Sequence, residues 1–281
     1  MDWLTERKIP IGGWVRDLVD WITDNLDWFF DAVSVGLETM IGGLLWLLQT
    51  PHPFIVIAFT GVLAWALKRS IAFTAFVVLS LLLIINQDYW EETTETLALV
   101  LSAALVCMAA GVPLGVAAAH RPWLYKAIRP VLDLMQTIPT FVYLIPALIL
   151  FGLGMVPGLI ATVIFALPAP IRLTHLGVSS TPKPLIEAGE AFGATGWQLL
   201  WKVELPYALP SILAGLTQTI MLSLSMVVIA ALVGADGLGV PTLRALNTVN
   251  IAKGFEVGLA IVLIAIILDR LCRRDDGPAG R

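Results

Sequence analysis

The sequence predicts an all-α membrane protein, a polytopic bundle of about seven transmembrane helices preceded by an amphipathic interfacial helix. Three observations carry this. Hydrophobic residues make up 58% of the 281 and charged residues only 14%, where a soluble domain carries about a quarter charged. Long apolar runs recur, broken by short polar segments. Near the N-terminus the acids repeat at helical spacing. A net charge of −4 gives no footing for nucleic acid. The start lacks the charged region, short apolar core and cleavage site of a signal peptide.

Asp17, Asp20, Asp24, Asp27, Asp31, Ser34 and Glu38 step by three and four residues, so they share one helical stripe. Trp14, Leu18, Trp21, Ile22, Phe29, Phe30, Val33 and Leu37 fall largely on the other faces. Lipid on all sides would not tolerate that stripe, whereas the membrane interface would. Residues 1–50 therefore read as an interfacial segment. Spans follow at 53–68, 70–86, 95–119, 130–153, 156–174, 207–232 and 254–271. The first two form a peripheral hairpin within 51–94, with Lys68 and Arg69 at its turn. The core is 95–272, and 273–281 is a tail. An eighth span at 28–50 is the alternative, disfavoured by Asp31 and Glu38.

Most of the 17 lysines and arginines fall on one side if the N-terminus is outside. By the positive-inside rule that side is cytoplasmic, and it holds the 176–206 loop and the C-terminus. Arg7, Lys8 and Arg16 speak mildly the other way. The expected location is the inner or plasma membrane, with several crossings.

The long polar loop at 182–206 is the most informative segment. Pro182 and Pro184 start it, and Leu185–Phe192 has helical character. Gly193 suits the left-handed position after a helix. Thr195 can cap a second short helix, Trp197–Glu204, which Pro206 is expected to close. Small residues at Ala188, Gly189 and Gly193 would let another backbone approach. The segment fits the pattern E-A-(small)-x3-G-x9-(aliphatic)-x-L-P through Glu187, Ala188, Gly189, Gly193, Val203, Leu205 and Pro206.

That pattern resembles the "EAA" loop of permease subunits of ABC importers, although Gly189 stands where the family usually has alanine. Further blocks narrow the resemblance to permeases for glycine betaine, proline betaine and choline. They are Leu132–Leu144, Phe165–Pro168 with Ile171–Leu173, Leu222–Ala230 and Ala265–Leu271. The likeness covers about residues 50–272 and implies a type I ABC importer permease fold. It implies two copies of the permease, two copies of an ATPase docked on the loop, and a substrate-binding protein outside. ATP and magnesium would belong to the ATPase. The chain itself contains no G-x-x-x-x-G-K-[ST] run and no carboxylate, histidine or serine constellation at catalytic spacing. It is not expected to be an enzyme or to bind a cofactor.

Helix breaks in spans are tolerated where freed backbone groups find partners or line a cavity. Breaks are expected at Pro139 and Pro146, at Pro168 and Pro170, and at Gly111 and Pro113. A quaternary ammonium has no N–H donor and is best met by aromatic faces. Phe141 and Tyr143, with Gln136, Thr137 and Pro139, are therefore the candidate pathway residues. Packing kinks and ordinary aromatic side chains are the plain alternatives. Asp133 is expected to pair with Arg129, one turn away. Cys107 and Cys272 read as apolar fillers. His52, His120 and His175 have no ligand spacing, so no metal site is expected. An ABC permease for another solute, such as an amino acid, fits the loop equally well. An ion-coupled secondary transporter would need ionisable residues in mid-span, which are missing.

Overall fold

The computed structural model describes residues 11–273. The expected tail beyond Arg273 lies outside the described residues, as do Arg7 and Lys8. All regular structure among the described residues is helical. α1 (Ile11–Gln49) leads into the hairpin of α2 (Pro53–Lys68) and α3 (Ile71–Asn86). α4 (Trp90–His120) follows, then α5 (Pro122–Thr137), α6 (Thr140–Phe151), α7 (Met155–Ala166) and α8 (Pro168–Ser179). The polar loop holds α9 (Lys183–Ala191), α10 (Gly196–Leu199) and a π-helical turn, Leu200–Glu204. α11 (Leu205–Ala230), α12 (Gly239–Asn247) and α13 (Ile251–Cys272) complete the chain.

Five helices are long and apolar enough to cross a membrane, or six if α5 and α6 count as one bent span. The hairpin helices are shorter, 16 residues each. That length rises about 24 Å, close to the hydrocarbon thickness once Lys68 snorkels.

The expected fourth span is not straight. α5 and α6 meet at 96°, at Ile138 and Pro139, both extended (ψ 130 and 132). A residue before proline is pushed out of the α region, and proline cannot supply the next helical N–H. The other prolines do not break their helices. Pro113 and Pro146 lie inside α4 and α6. Pro168 takes the first-turn position of α8, where a missing N–H costs nothing. Leu167 keeps helical angles (φ −53, ψ −35), so 155–179 runs as one span of 25 residues.

α8 is the centre of the bundle, flanked by α4 and α11. A methyl at Gly111 would sit 2.7 Å from Pro170, and one at Gly115 would sit 2.7 Å from the carbonyl of Ile171. Glycines four apart thus give α4 a flat face on which α8 lies backbone to backbone, the small-residue packing of membrane helices. The main apolar core joins the hairpin to α13 and α11 through Val77, Leu81, Ile84, Ile220, Leu224 and Ile264.

α1 is one helix with a non-helical residue at Leu26 (φ −122, ψ 16). Its acids at 17, 20, 24, 27, 31 and 38 are all exposed, while Ile41 is buried. By length and composition it also qualifies as a span. Its contacts run along the bundle: residues 12–20 line a hollow with Ile138, Val142 and Pro146 near the start of α6, and Phe30 meets Phe151 at 5.5 Å, edge to face. Ile41 packs among Ala98, Leu99, Ala103 and Leu159, and Gln49 donates to Thr94 at 2.9 Å. The partners of Phe30, Ile41 and Gln49 lie in the halves of α4, α6 and α7 next to the 87–89 and 152–154 turns. The opposite end of the bundle carries the polar loop.

Candidate functional site

The polar loop folds into an elbow. α9 ends at Phe192, and Gly193 follows with φ +78. The amide of Gly193 donates to Glu190 O (2.8 Å) and that of Ala194 to Gly189 O (3.1 Å). This closure needs a left-handed residue, which glycine takes without a Cβ clash. Thr195 then caps the next turn reciprocally: its hydroxyl accepts from the Gln198 amide (3.4 Å), and the Gln198 side chain accepts from the Thr195 amide (2.9 Å).

The second arm does not stop at Pro206. Instead the chain widens into the π-helical turn, where the Leu205 amide donates to Leu200 O, and continues directly into α11. Proline lacks the N–H an α-helix would use and clashes with the carbonyl four residues back. A five-residue turn relieves that clash. The outcome is a rigid lever, with the elbow continuous with a membrane span.

The seven pattern residues divide between two tasks. Glu187, Ala188, Gly193 and Pro206 are exposed. Gly189 faces inward: a methyl there would lie 2.5 Å from Leu199 Cδ2 and 3.8 Å from Val203 Cγ2. It therefore lets α9 close on the second arm of its own chain rather than on another chain. Leu205 packs with Val178, Ala208 and Ile212. The outward face carries large apolar groups, with Leu185, Trp197 and Trp201 exposed and Phe192 93% exposed. Trp197 and Trp201 meet edge to face at 5.6 Å. An exposed aromatic patch on a polar loop is a partner-binding surface in form.

Sequence reasoning missed one member of the elbow. Glu204 is 8% exposed, and its carboxylate meets His120 Nε2 at 2.9 Å, while His120 Nδ1 meets Val116 O at 3.0 Å. His120 is thus more than a polar residue at a membrane edge; it ties the end of α4 to the elbow. The two residues are 84 apart in sequence, and no local signal joins them.

The candidate pathway residues do not form one cluster. Arg172 donates to Gln136 Oε1 (2.8 Å) and to Asp133 Oδ1 (2.6 Å). Asp133 therefore pairs with α8 rather than with Arg129. A guanidinium fork can hold two acceptors on one helix, and here it fixes α5 just before the 96° bend. Thr137 ends α5, and Pro139 forms the bend with Ile138. Phe141 is exposed, whereas Tyr143 is buried among Leu144, Ala161, Met226 and Val233. Residues two apart on a helix face nearly opposite ways, so these rings do not form a cage. In the Asp236–Gly239 turn Asp236 is exposed, while Leu238 is fully buried and its amide donates to Thr96 Oγ1 (2.9 Å).

Residues 111–274 match the binding-protein-dependent transport system inner membrane component family. The chain belongs to that family. It is 44% identical over 271 residues to the glycine betaine/carnitine transport permease protein GbuB of Listeria monocytogenes, covering 94% of each chain. It is also 44% identical over 272 residues to the glycine betaine/proline betaine transport system permease protein ProW of Escherichia coli, covering 96% of this chain and 76% of that one. Among solved structures, the inward-facing MetNI methionine ABC transporter matches with TM-score 0.56 and 26% identity. It covers 62% of this chain and 88% of that one. The protein is thus a multi-pass inner-membrane permease of type I ABC importer fold, and a transporter subunit rather than an enzyme. Permeases of this family work with an ATPase and a substrate-binding protein.

Proposed function

We propose that this chain forms the pore of an ATP-driven importer for quaternary ammonium osmolytes: glycine betaine, proline betaine or choline. The observation that carries the substrate class is identity of 44% to permeases named for betaines along nearly the whole chain. The elbow carries the coupling. Its capped, glycine-closed first arm and its second arm continuous with α11 suit a part that converts motion of a partner into motion of a span.

In this reading two copies pair about a two-fold axis, because the chain has one elbow and each elbow serves one ATPase. Two ATPases bind beneath, supplying ATP and magnesium; the permease holds no cofactor. The elbow end faces the cytoplasm with the C-terminus, and the N-terminus lies outside. Residues 1–50 lie along the outer interface, 51–94 form a peripheral hairpin, 95–272 form the permease core and 273–281 the tail. The exposed acids along α1 support the interfacial reading.

The test is uptake into proteoliposomes holding this permease with its ATPase, the binding protein outside and ATP enclosed or omitted. Labelled glycine betaine and choline are compared with labelled methionine. Uptake of a quaternary ammonium that requires enclosed ATP is the expected result. Uptake of methionine alone would keep the architecture and overturn the substrate, and uptake without ATP would overturn the importer.

A further inference from the structure

A cavity of about 310 Å³ opens at the elbow end of the bundle, away from the elbow itself, lined by Lys68, Ser70, Phe73, Arg270 and Arg273. It lies between the α2–α3 turn and the last turn of α13. Lys68 donates its ammonium hydrogen to the carbonyl of Arg273, which joins the two walls. Ser70 caps α3 through the Phe73 amide at 3.3 Å. Arg69 stands beside the cavity in the left-handed conformation, φ 47. Arg270 lies in the last turn of α13 and Arg273 directly follows the helix in an extended conformation; both are exposed. Against these cations, Asp269 is the acid in the same turn.

Helix dipoles favour cations at the ends of α2 and α13, but a dipole does not require that they converge on a cavity. Next to the basic lining the surface turns apolar: Trp65, Leu67 and Ile71 are exposed, Ile71 by 80%. A basic hollow bordered by exposed apolar side chains matches one kind of ligand, an anionic head on hydrocarbon chains. Guanidinium forks suit phosphate oxygens, and basic pockets between spans on the cytoplasmic side take anionic headgroups.

We propose that this cavity binds the phosphate of an anionic phospholipid through Arg270 and Arg273, with the acyl chains lying along Trp65 and Ile71. The purified permease–ATPase complex, exchanged into detergent with equimolar phosphatidylglycerol and phosphatidylcholine, is examined by native mass spectrometry. Wild type is expected to retain phosphatidylglycerol over phosphatidylcholine by about tenfold, and Arg270→Gln with Arg273→Gln should remove the preference. Arg244→Gln, at the opposite end of the bundle, should keep it. If the double variant fails to assemble with the ATPase, Arg273→Gln alone should lower the preference severalfold. Equal retention of both lipids by wild type, or an unchanged preference in the double and single variants, would overturn the proposal. So would binding of inorganic phosphate that depends on the two arginines without any preference between the lipids, because the site would then take a free anion.

Discussion

Gly193 shows how much of the elbow rests on single residues. Its φ of +78 costs an L side chain about 1–2 kcal/mol, more with a branched Cβ. Gly193→Val should therefore loosen the elbow and reduce the ATPase retained on affinity purification of the permease. Gly193→Asn, which tolerates left-handed backbone, should retain most of it. No methyl at Gly193 would touch a neighbour, so the effect is conformational and not steric. Glu204 makes a second residue-scale case. The His120 ring stands between two polar partners, the Val116 carbonyl and the Glu204 carboxylate. Glu204→Ala leaves that pairing unmade and should cost about 1 kcal/mol, read as a lowered thermal midpoint of the purified complex. Glu204→Gln keeps a hydrogen-bonding side chain of the same shape beside the ring and should recover most of the loss. The left-handed glycine and the Thr195 cap are legible in the sequence because both act on backbone groups within five residues. The Glu204 contact is not legible, because tertiary packing alone brings α4 to the elbow.

At the scale of elements, two close approaches of similar distance differ in what must move. A methyl on Gly115 would meet the Cβ of Thr174 at 2.6 Å and the backbone of Ile171 at 2.7 Å, whereas one on Gly189 meets only the tip of Leu199 at 2.5 Å. Backbone between packed spans cannot yield, but a leucine tip can rotate. Gly115→Ala should destabilise by about 1–3 kcal/mol and reduce the folded fraction in a thermal-shift or size-exclusion assay. Gly189→Ala should be close to neutral, because relief of helix-interior glycine, about 1 kcal/mol, offsets the adjustment of Leu199. That outcome explains in physical terms why either small residue serves the third position of the motif. Proline was the weaker guide to elements. Pro139 does mark the 96° bend, yet Pro113 and Pro146 sit inside unbroken helices whose packing supports the lost bond. Similarly, Pro206 was expected to end a helix, but the π-helical turn carries the chain past it. The pairing of Asp133 was misread because helical spacing offers Arg129 one turn away, while the fold brings in Arg172 from α8.

For the whole molecule, composition and apolar runs are enough to give a helical membrane bundle, and the motif blocks are enough to give the permease family. Length alone does not assign α1, since its run passes as a span while its stripe of acids is exposed. The central claim is that the elbow is the coupling surface, with Phe192, Trp197 and Trp201 meeting the ATPase. The most direct measurement is ATP hydrolysis by the reconstituted transporter, with and without substrate-loaded binding protein, in wild type and in Phe192→Asp with Trp197→Asp. The account predicts strong stimulation in wild type. In the double variant it predicts stimulation lowered by at least about tenfold, as burying two unpaired carboxylates in an aromatic contact would impose. Stimulation equal to wild type in a correctly folded double variant would contradict it.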